Sequence, residues 1–205
     1  MYYAIFEAVP YEGKEKLAEQ FYMSLLPHLD KFKGNGFHED AFSGAVHRRK
    51  GVNVAVWDDA EAAWGWRNEE NHLRLQKKGS ETVYESYRIR LGPEVPKSEE
   101  PDNEKTRHYM TLLYRSSFEG TPPDDVAELL ESGIAGQLKG EVVDSTVYKG
   151  AQTLWITTWR SQDAAIHFEQ SITSLPEDTL LRIRVERDYT KSDRNDAPHE
   201  MPGMQ

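Results

Sequence analysis

The sequence predicts an α+β protein made of two tandem β-α-β-β-α-β units. Three observations carry that expectation. Strand-like and helix-like segments alternate in that order through the first half, the order restarts after a proline-rich stretch, and a Trp-x-x-x-x-Ala-Ala pattern recurs at one spacing in both halves.

Tyr2–Val9 is rich in aromatic and apolar residues and stops at Pro10, as a strand does before a helix. From Gly13 to Phe32, Leu17, Phe21, Leu25 and Leu29 recur every fourth residue and give one apolar helical stripe, which Gly34 and Gly36 end. Ala41–Arg48 and Gly51–Trp57 read as short strands. A helix over Asp58–Lys78 closes at Gly79, and Thr82–Leu91 is the last strand of this half. Residues 93–107 hold Pro93, Pro96 and Pro101 with almost nothing apolar, which is the composition of an extended linker.

The second half repeats the plan. His108–Ser116 is strand-like, Pro122–Leu138 helical, Glu141–Lys149 and Gln152–Trp159 strand-like, Ser161–Ser171 helical and Thr179–Tyr189 strand-like. Trp57 with Ala62 and Ala63 is answered by Trp159 with Ala164 and Ala165. The expected domains are therefore 1–92 and 108–190, joined by the linker 93–107 and followed by a tail, 191–205.

Each half fits the ferredoxin-like plan, with both helices on one face of an antiparallel sheet. In Tyr2–Val9 both alternating sets, Tyr3/Ile5/Val9 and Tyr2/Ala4/Phe6/Ala8, are apolar, so neither face of that sheet can remain in water. Helices cover one face. A second sheet packed face to face is expected on the other, supplied by the duplicate half as an intramolecular pseudo-dimer or by another chain; a further homodimer is left open.

Composition narrows the function classes. A net charge of −10 repels phosphate backbones, so no nucleic-acid partner is expected, and the basic run His47-Arg48-Arg49-Lys50 reads as a solvated hairpin tip. No stretch reaches the ~20 apolar residues of a membrane helix, and Met1–Glu7 lacks a basic leader, so a cytoplasmic protein without membrane contact is expected. With no cysteine, thiolate nucleophiles, Cys-ligated zinc and conventional iron–sulfur clusters are excluded.

Val52-Asn53-Val54-Ala55-Val56-Trp57 is the most informative run. Alternation puts Val52, Val54 and Val56 on one face, suited to the helices, and Asn53, Ala55 and Trp57 on the other, where small Ala55 leaves room for a planar ligand. His38, His47 and His72 are candidate bases. Asp58/Asp59 and Glu69/Glu70 read as exposed residues at helix starts. Tyr84 and Tyr87 are candidates for the pocket or the core.

Trp64-Gly65-Trp66-Arg67-Asn68-Glu69-Glu70-Asn71-His72, with Gln76 and Gly79, is similar to the helix signature of the antibiotic-biosynthesis-monooxygenase (ABM) group of dimeric α+β barrels. Arg187-Asp188-Tyr189, continuing through Asp193-Arg194 to Ala197-Pro198, resembles the tail of its single-domain members. The group includes cofactor-independent oxygenases that turn aromatic polyketides into quinones, with an Asn and a Trp four residues apart on this strand in the substrate pocket. The resemblance implies that Asn53 bonds a substrate oxygen as it becomes anionic and that Trp57 stacks on the ring, with Ala55, Trp64, Trp66, His72 and Tyr87 around them. It implies a small aromatic or quinone-type substrate, dioxygen as co-substrate, and no metal or cofactor.

In the second half Trp155 stands where Asn53 does, so that pocket is expected to be filled, leaving one working site per chain. Heme-degrading members carry a His ten residues after the helix Trp; here that position is Gln76, which argues against heme. The alternative to catalysis is a non-catalytic small-ligand-binding or stress-associated module.

Overall fold

In the computed structural model the described residues are 1–29, 38–44, 49–99, 107–116, 138, 140–149, 152–172 and 176–193. The helix expected over 122–138, the basic tip at His47-Arg48 and the tail beyond 193 lie outside them, apart from Leu138; for 38–44 only the backbone is described. The chain divides into two units, Met1–Pro93 with Arg187–Gln205, and Glu94–Glu186. Both are α+β, the class the sequence predicts.

The first unit runs β1 (Tyr2–Pro10), α1 (Glu15–Leu29), β2 (His38–Gly44), β3 (Gly51–Trp57), α2 (Ala60–Arg67), α3 (Glu70–Thr82) and β4 (Tyr84–Pro93), and is completed by β9 (Arg187–Thr190). Its strands pair antiparallel in the order β2-β3-β1-β4-β9. The second unit contains β5 (Tyr109–Ser116), β6 (Val142–Lys149), β7 (Gln152–Trp159), α4 (Gln162–Ser171) and β8 (Thr179–Arg184), in the sheet order β8-β5-β7-β6.

Four expectations need correction. The helix over 58–78 is two helices, broken at Asn68 and Glu69. Asp59 caps the first by accepting the Ala62 N–H at 2.8 Å, and Glu69 caps the second by accepting the His72 N–H at 2.8 Å. Glu69 is therefore a largely covered cap, its side chain 9% exposed, rather than a solvated one. Gly79 does not stop α3, which runs on to Thr82. The Tyr84 ring crosses the helix there, and a Cβ on residue 79 would meet it at 3.1 Å, so glycine permits close approach instead.

The third correction concerns Thr179–Tyr189, which is two strands and not one: β8 pairs with β5 in the second unit, whereas β9 pairs with β4 in the first, Leu91 opposite Arg187 and Ile89 opposite Tyr189. The fourth concerns β2, which begins at His38, ahead of the expected Ala41.

Both faces of the first sheet are buried, as the apolar alternation of β1 requires. Ile5, Val52 and Val54 are 0–2% exposed on one face, and Trp57 is 1% exposed on the other, packed with Tyr2, Leu29, Ala62 and Ala63. In the second unit Trp155 and Trp159 are both core residues, packed with Leu113, Ala164, Ala165 and Phe168. Trp159 donates its indole N–H to Thr111 Oγ1 at 3.1 Å, which satisfies the one polar atom of a fully buried side chain.

Candidate functional site

The first unit contains a cavity of about 180 Å³ between its sheet and its helices. β3 supplies Asn53, Ala55 and Trp57 to the wall, β1 supplies Ala4 and Phe6, and α1 supplies Phe21, Leu25 and Leu29. This overturns the expected assignment of faces. Asn53, Ala55 and Trp57 look toward the helices, and the valines look away. Alternation separates the two sets of a strand, but when both faces are buried it does not say which set meets the helices.

Small side chains make the hollow. Register pairs Ala4 with Ala55 and Phe6 with Asn53 in the first unit; the corresponding pairs in the second are Thr111 with Thr157 and Leu113 with Trp155. Two alanines and an asparagine thus leave open the volume that threonines and an indole occupy in the other sheet. Asn53 is half-buried, and no described residue hydrogen-bonds its side-chain amide.

Trp66, His72 and Gln76 form the helical wall. The His72 ring stacks on the Trp66 indole at a centroid distance of 4.2 Å and 17° between planes. His72 Nδ1 lies 2.9 Å from the Trp66 carbonyl oxygen, which can only accept, so Nδ1 bears the proton and Nε2 the lone pair. The Gln76 amide nitrogen lies over the ring, 3.0 Å from Nδ1 and 3.2 Å from Nε2, and donates to the Arg67 carbonyl at 3.2 Å. The break between α2 and α3 makes this arrangement, because it lets the first turn of α3 fold back against the last turn of α2.

Tyr84 and Tyr87 both line the cavity, although strict alternation would point them to opposite faces. The register shift at Val9/Pro10, where Val9 faces Ser86 and Pro10 faces Tyr84, inserts Glu85 as an extra residue and turns Tyr84 inward. The Tyr84 ring meets Phe6 edge-on at 5.4 Å. Burial pushes its hydroxyl up to about 12, so at neutral pH it is a protonated donor.

Of the residues expected in the site, Asn53, Ala55, Trp57, Trp66, His72 and Tyr87 share this cavity. Trp64 does not. It lines a smaller adjoining recess of about 30 Å³, together with Arg67, Arg187 and Tyr189. Tyr84, a candidate for pocket or core in the sequence, is in the cavity; Arg67, Gln76 and Tyr189 went unassigned to the site, although Arg67 and Gln76 belong to the helix signature and Tyr189 to the tail motif. Among the described residues no cluster of His, Asp and Glu is placed to hold a metal ion, and no helix is long and apolar enough to cross a membrane.

No protein-family model matches the chain. Against curated proteins it is 23% identical to jasmonate monooxygenase ABM of Pyricularia oryzae, an alignment spanning 98% of this chain and 99% of the relative. The chain is thus similar, over nearly all of both sequences, to a protein named an ABM monooxygenase. Among solved structures it resembles an anthrone oxidase-like protein (12% identity, 99% of this chain, 96% of that one, TM-score 0.33). It also resembles an aldoxime dehydratase in complex with butyraldoxime (8% identity, 90% and 79%, TM-score 0.48). At these values neither superposition speaks to chemistry. The likeness to an ABM monooxygenase therefore rests on the sequence.

Proposed function

We propose that the first unit is a monooxygenase site that oxygenates a small cyclic, electron-rich substrate with dioxygen and without metal or flavin. The observation that carries this reading is Asn53: a polar amide on the wall of an otherwise largely apolar cavity, with no described residue as hydrogen-bond partner. A half-buried amide on a largely apolar wall can still donate to a ligand or to water that enters the cavity. A ligand oxygen that becomes anionic during the reaction is the partner it suits, since its N–H bonds strengthen as charge develops.

The reaction on an anthrone-type carbon illustrates the demand on the site. Loss of a C–H proton gives an enolate, whose oxygen takes the charge beside Asn53. The enolate passes one electron to dioxygen, the resulting radical pair joins as a C–O bond, and the protonated peroxide loses water to leave a carbonyl, so CH₂ and O₂ become C=O and H₂O. His72 Nε2, the lone-pair nitrogen on the wall, takes the first proton after displacing the Gln76 amide. Trp57 and Trp66, 6.2 Å apart and tilted by 32°, bound the ring.

The second unit supports the division of labour expected from the sequence. Trp155 there is 4% exposed and belongs to the core, so the position that polarises a substrate in the first unit is packing in the second.

Oxygen uptake decides the matter. Anthrones, hydroquinones, polyphenols and jasmonate would be offered to protein stripped of metal and flavin, comparing wild type with Asn53→Ala, His72→Gln and Trp57→Phe. Uptake that survives stripping and collapses in Asn53→Ala supports the reading. Absence of uptake from any substrate that demonstrably binds makes the first unit a binding module.

A further inference from the structure

A second polar group faces the ligand across the cavity from Asn53. We infer that the Tyr84 hydroxyl donates to an acceptor oxygen at the far end of the ligand from the oxygen held by Asn53, so that the first unit takes a ring compound bearing two oxygen functions across its body. The inference rests on the proposed function for the choice of cavity and for Asn53, and deepens it by naming the substrate class.

Tyr84 owes its place to the irregularity in the β1–β4 ladder. The shift at Val9/Pro10 turns it to the side that Tyr87 already occupies, the kind of re-aiming that bulges perform beside active sites. Three neighbours orient its ring: Phe6 edge-on at 5.4 Å, Tyr87 edge-on at 6.4 Å, and the α3 backbone at Gly79, where a Cβ would stand 3.1 Å from the ring.

Of the two tyrosines, Tyr84 is the one with a hydroxyl to offer. Tyr87 Oη is fully enclosed by protein and out of a ligand's reach. The Tyr84 hydroxyl has no hydrogen-bond partner among the described residues. Burial raises it to about 12, so at neutral pH it keeps its proton and serves as a bond donor, not as a base.

Phe6 lies between the two donors. It pairs with Asn53 across β1 and β3, and the Tyr84 ring leans on it from the β4 side. Tyr84 itself stands opposite Pro10, four residues further along β1 and so ~13 Å away at ~3.4 Å per residue, and its side chain spans part of that by reaching back to Phe6. The remainder is on the scale of a two-ring body. A cavity of about 180 Å³, somewhat above the ~150 Å³ that accepts a benzene, has room for one. An apolar body lying over Phe6 therefore meets a donor at either end.

Calorimetric titration of the full chain with 6-hydroxy-1-tetralone and with tetrahydro-2-naphthol tests this, because the two share a hydroxylated two-ring skeleton and differ by one carbonyl oxygen, which can only accept. The isomeric 7-hydroxy-1-tetralone brackets the spacing of the two oxygens. In wild type the better of the two ketones should bind about 5-fold tighter than the naphthol, the range of one neutral hydrogen bond. Tyr84→Phe should bring that ratio close to one while the naphthol still binds, which reports an intact cavity. Asn53→Ala should weaken all three probes and leave the ratio standing.

Equal affinity for ketone and naphthol in wild type overturns the inference. So does a ratio that survives Tyr84→Phe, because the carbonyl then rests on another group. Loss of every probe in Tyr84→Phe also overturns it, since the site then needs the ring position and not the hydroxyl. Oxygen uptake separates the two readings: a Tyr84-dependent preference without oxygenation keeps the donor and removes the oxygenase, and oxygenation with kcat and KM unchanged in Tyr84→Phe does the reverse.

Discussion

Asp188 grips Arg88 through two hydrogen bonds, 2.7 Å from Nε to Oδ1 and 2.5 Å from Nη2 to Oδ2, although the whole second unit lies between them in the chain. The pair fastens β9 to β4 and so delivers Arg187 and Tyr189, on the alternate face of the same strand, to the first unit's site. Each partner is 27% exposed, so the pair itself contributes no more than about 1 kcal/mol. Asp188→Ala should therefore lower urea-unfolding stability by less than about 1 kcal/mol and spare ligand binding. A stop after Glu186 should abolish binding by the first unit, as read by calorimetry.

Filling the first cavity as nature fills the second should separate stability from function. Asn53→Trp places an indole where Trp155 stands in the partner sheet, opposite Phe6 instead of Leu113. Thermal stability should hold or rise, because the indole buries apolar surface in the hollow. Ligand binding and oxygen uptake should both vanish. Retained binding would show that the ligand sits elsewhere.

The Tyr84 hydroxyl should give the first unit an alkaline limit. Its folded value, about 12, is raised above the ordinary 10.0 by burial, so its contribution is fully present below pH 10 and is lost as pH rises toward 12. The loss across that window is roughly 2–3 kcal/mol. Denaturant titrations at pH 9 to 12 should show it in wild type and not in Tyr84→Phe, with the difference between the two proteins isolating this hydroxyl from other alkaline groups.

Gly79→Ala pits helix propensity against packing. Alanine favours a helix interior by about 1 kcal/mol over glycine. The new Cβ, however, would stand 3.1 Å from Tyr84 Cε2 and 3.3 Å from Cδ2. The ring borders the cavity and can yield into it, so stability should change by less than about 1 kcal/mol while affinity for a bulky ligand drops. An unchanged affinity would mean that the ring moves away from the hollow.

Much of this molecule is legible in its sequence because the relevant signals are local. The four-residue recurrence from Leu17 to Leu29 marks α1, the run Val52–Trp57 marks β3, and the two apolar sets of β1 require a sheet buried on both faces. Asn53, Ala55 and Trp57 group together by alternation alone, and the substitution of Trp155 for Asn53 already distinguishes the open half from the filled one.

What the sequence left undecided is what depends on distant partners. Alternation could not say that Asn53 faces the helices, since both faces of the sheet are apolar and the choice is made by which side α1, α2 and α3 cover. It could not place Tyr84 beside Tyr87, because a single extra residue at Glu85 reverses the facing of what precedes it. Nor could it send Arg187 and Tyr189 to the first unit. A four-residue strand carries too little pattern to name its partner, and the choice of β4 is made by backbone hydrogen bonds and side-chain contacts that exist only once the chain has folded.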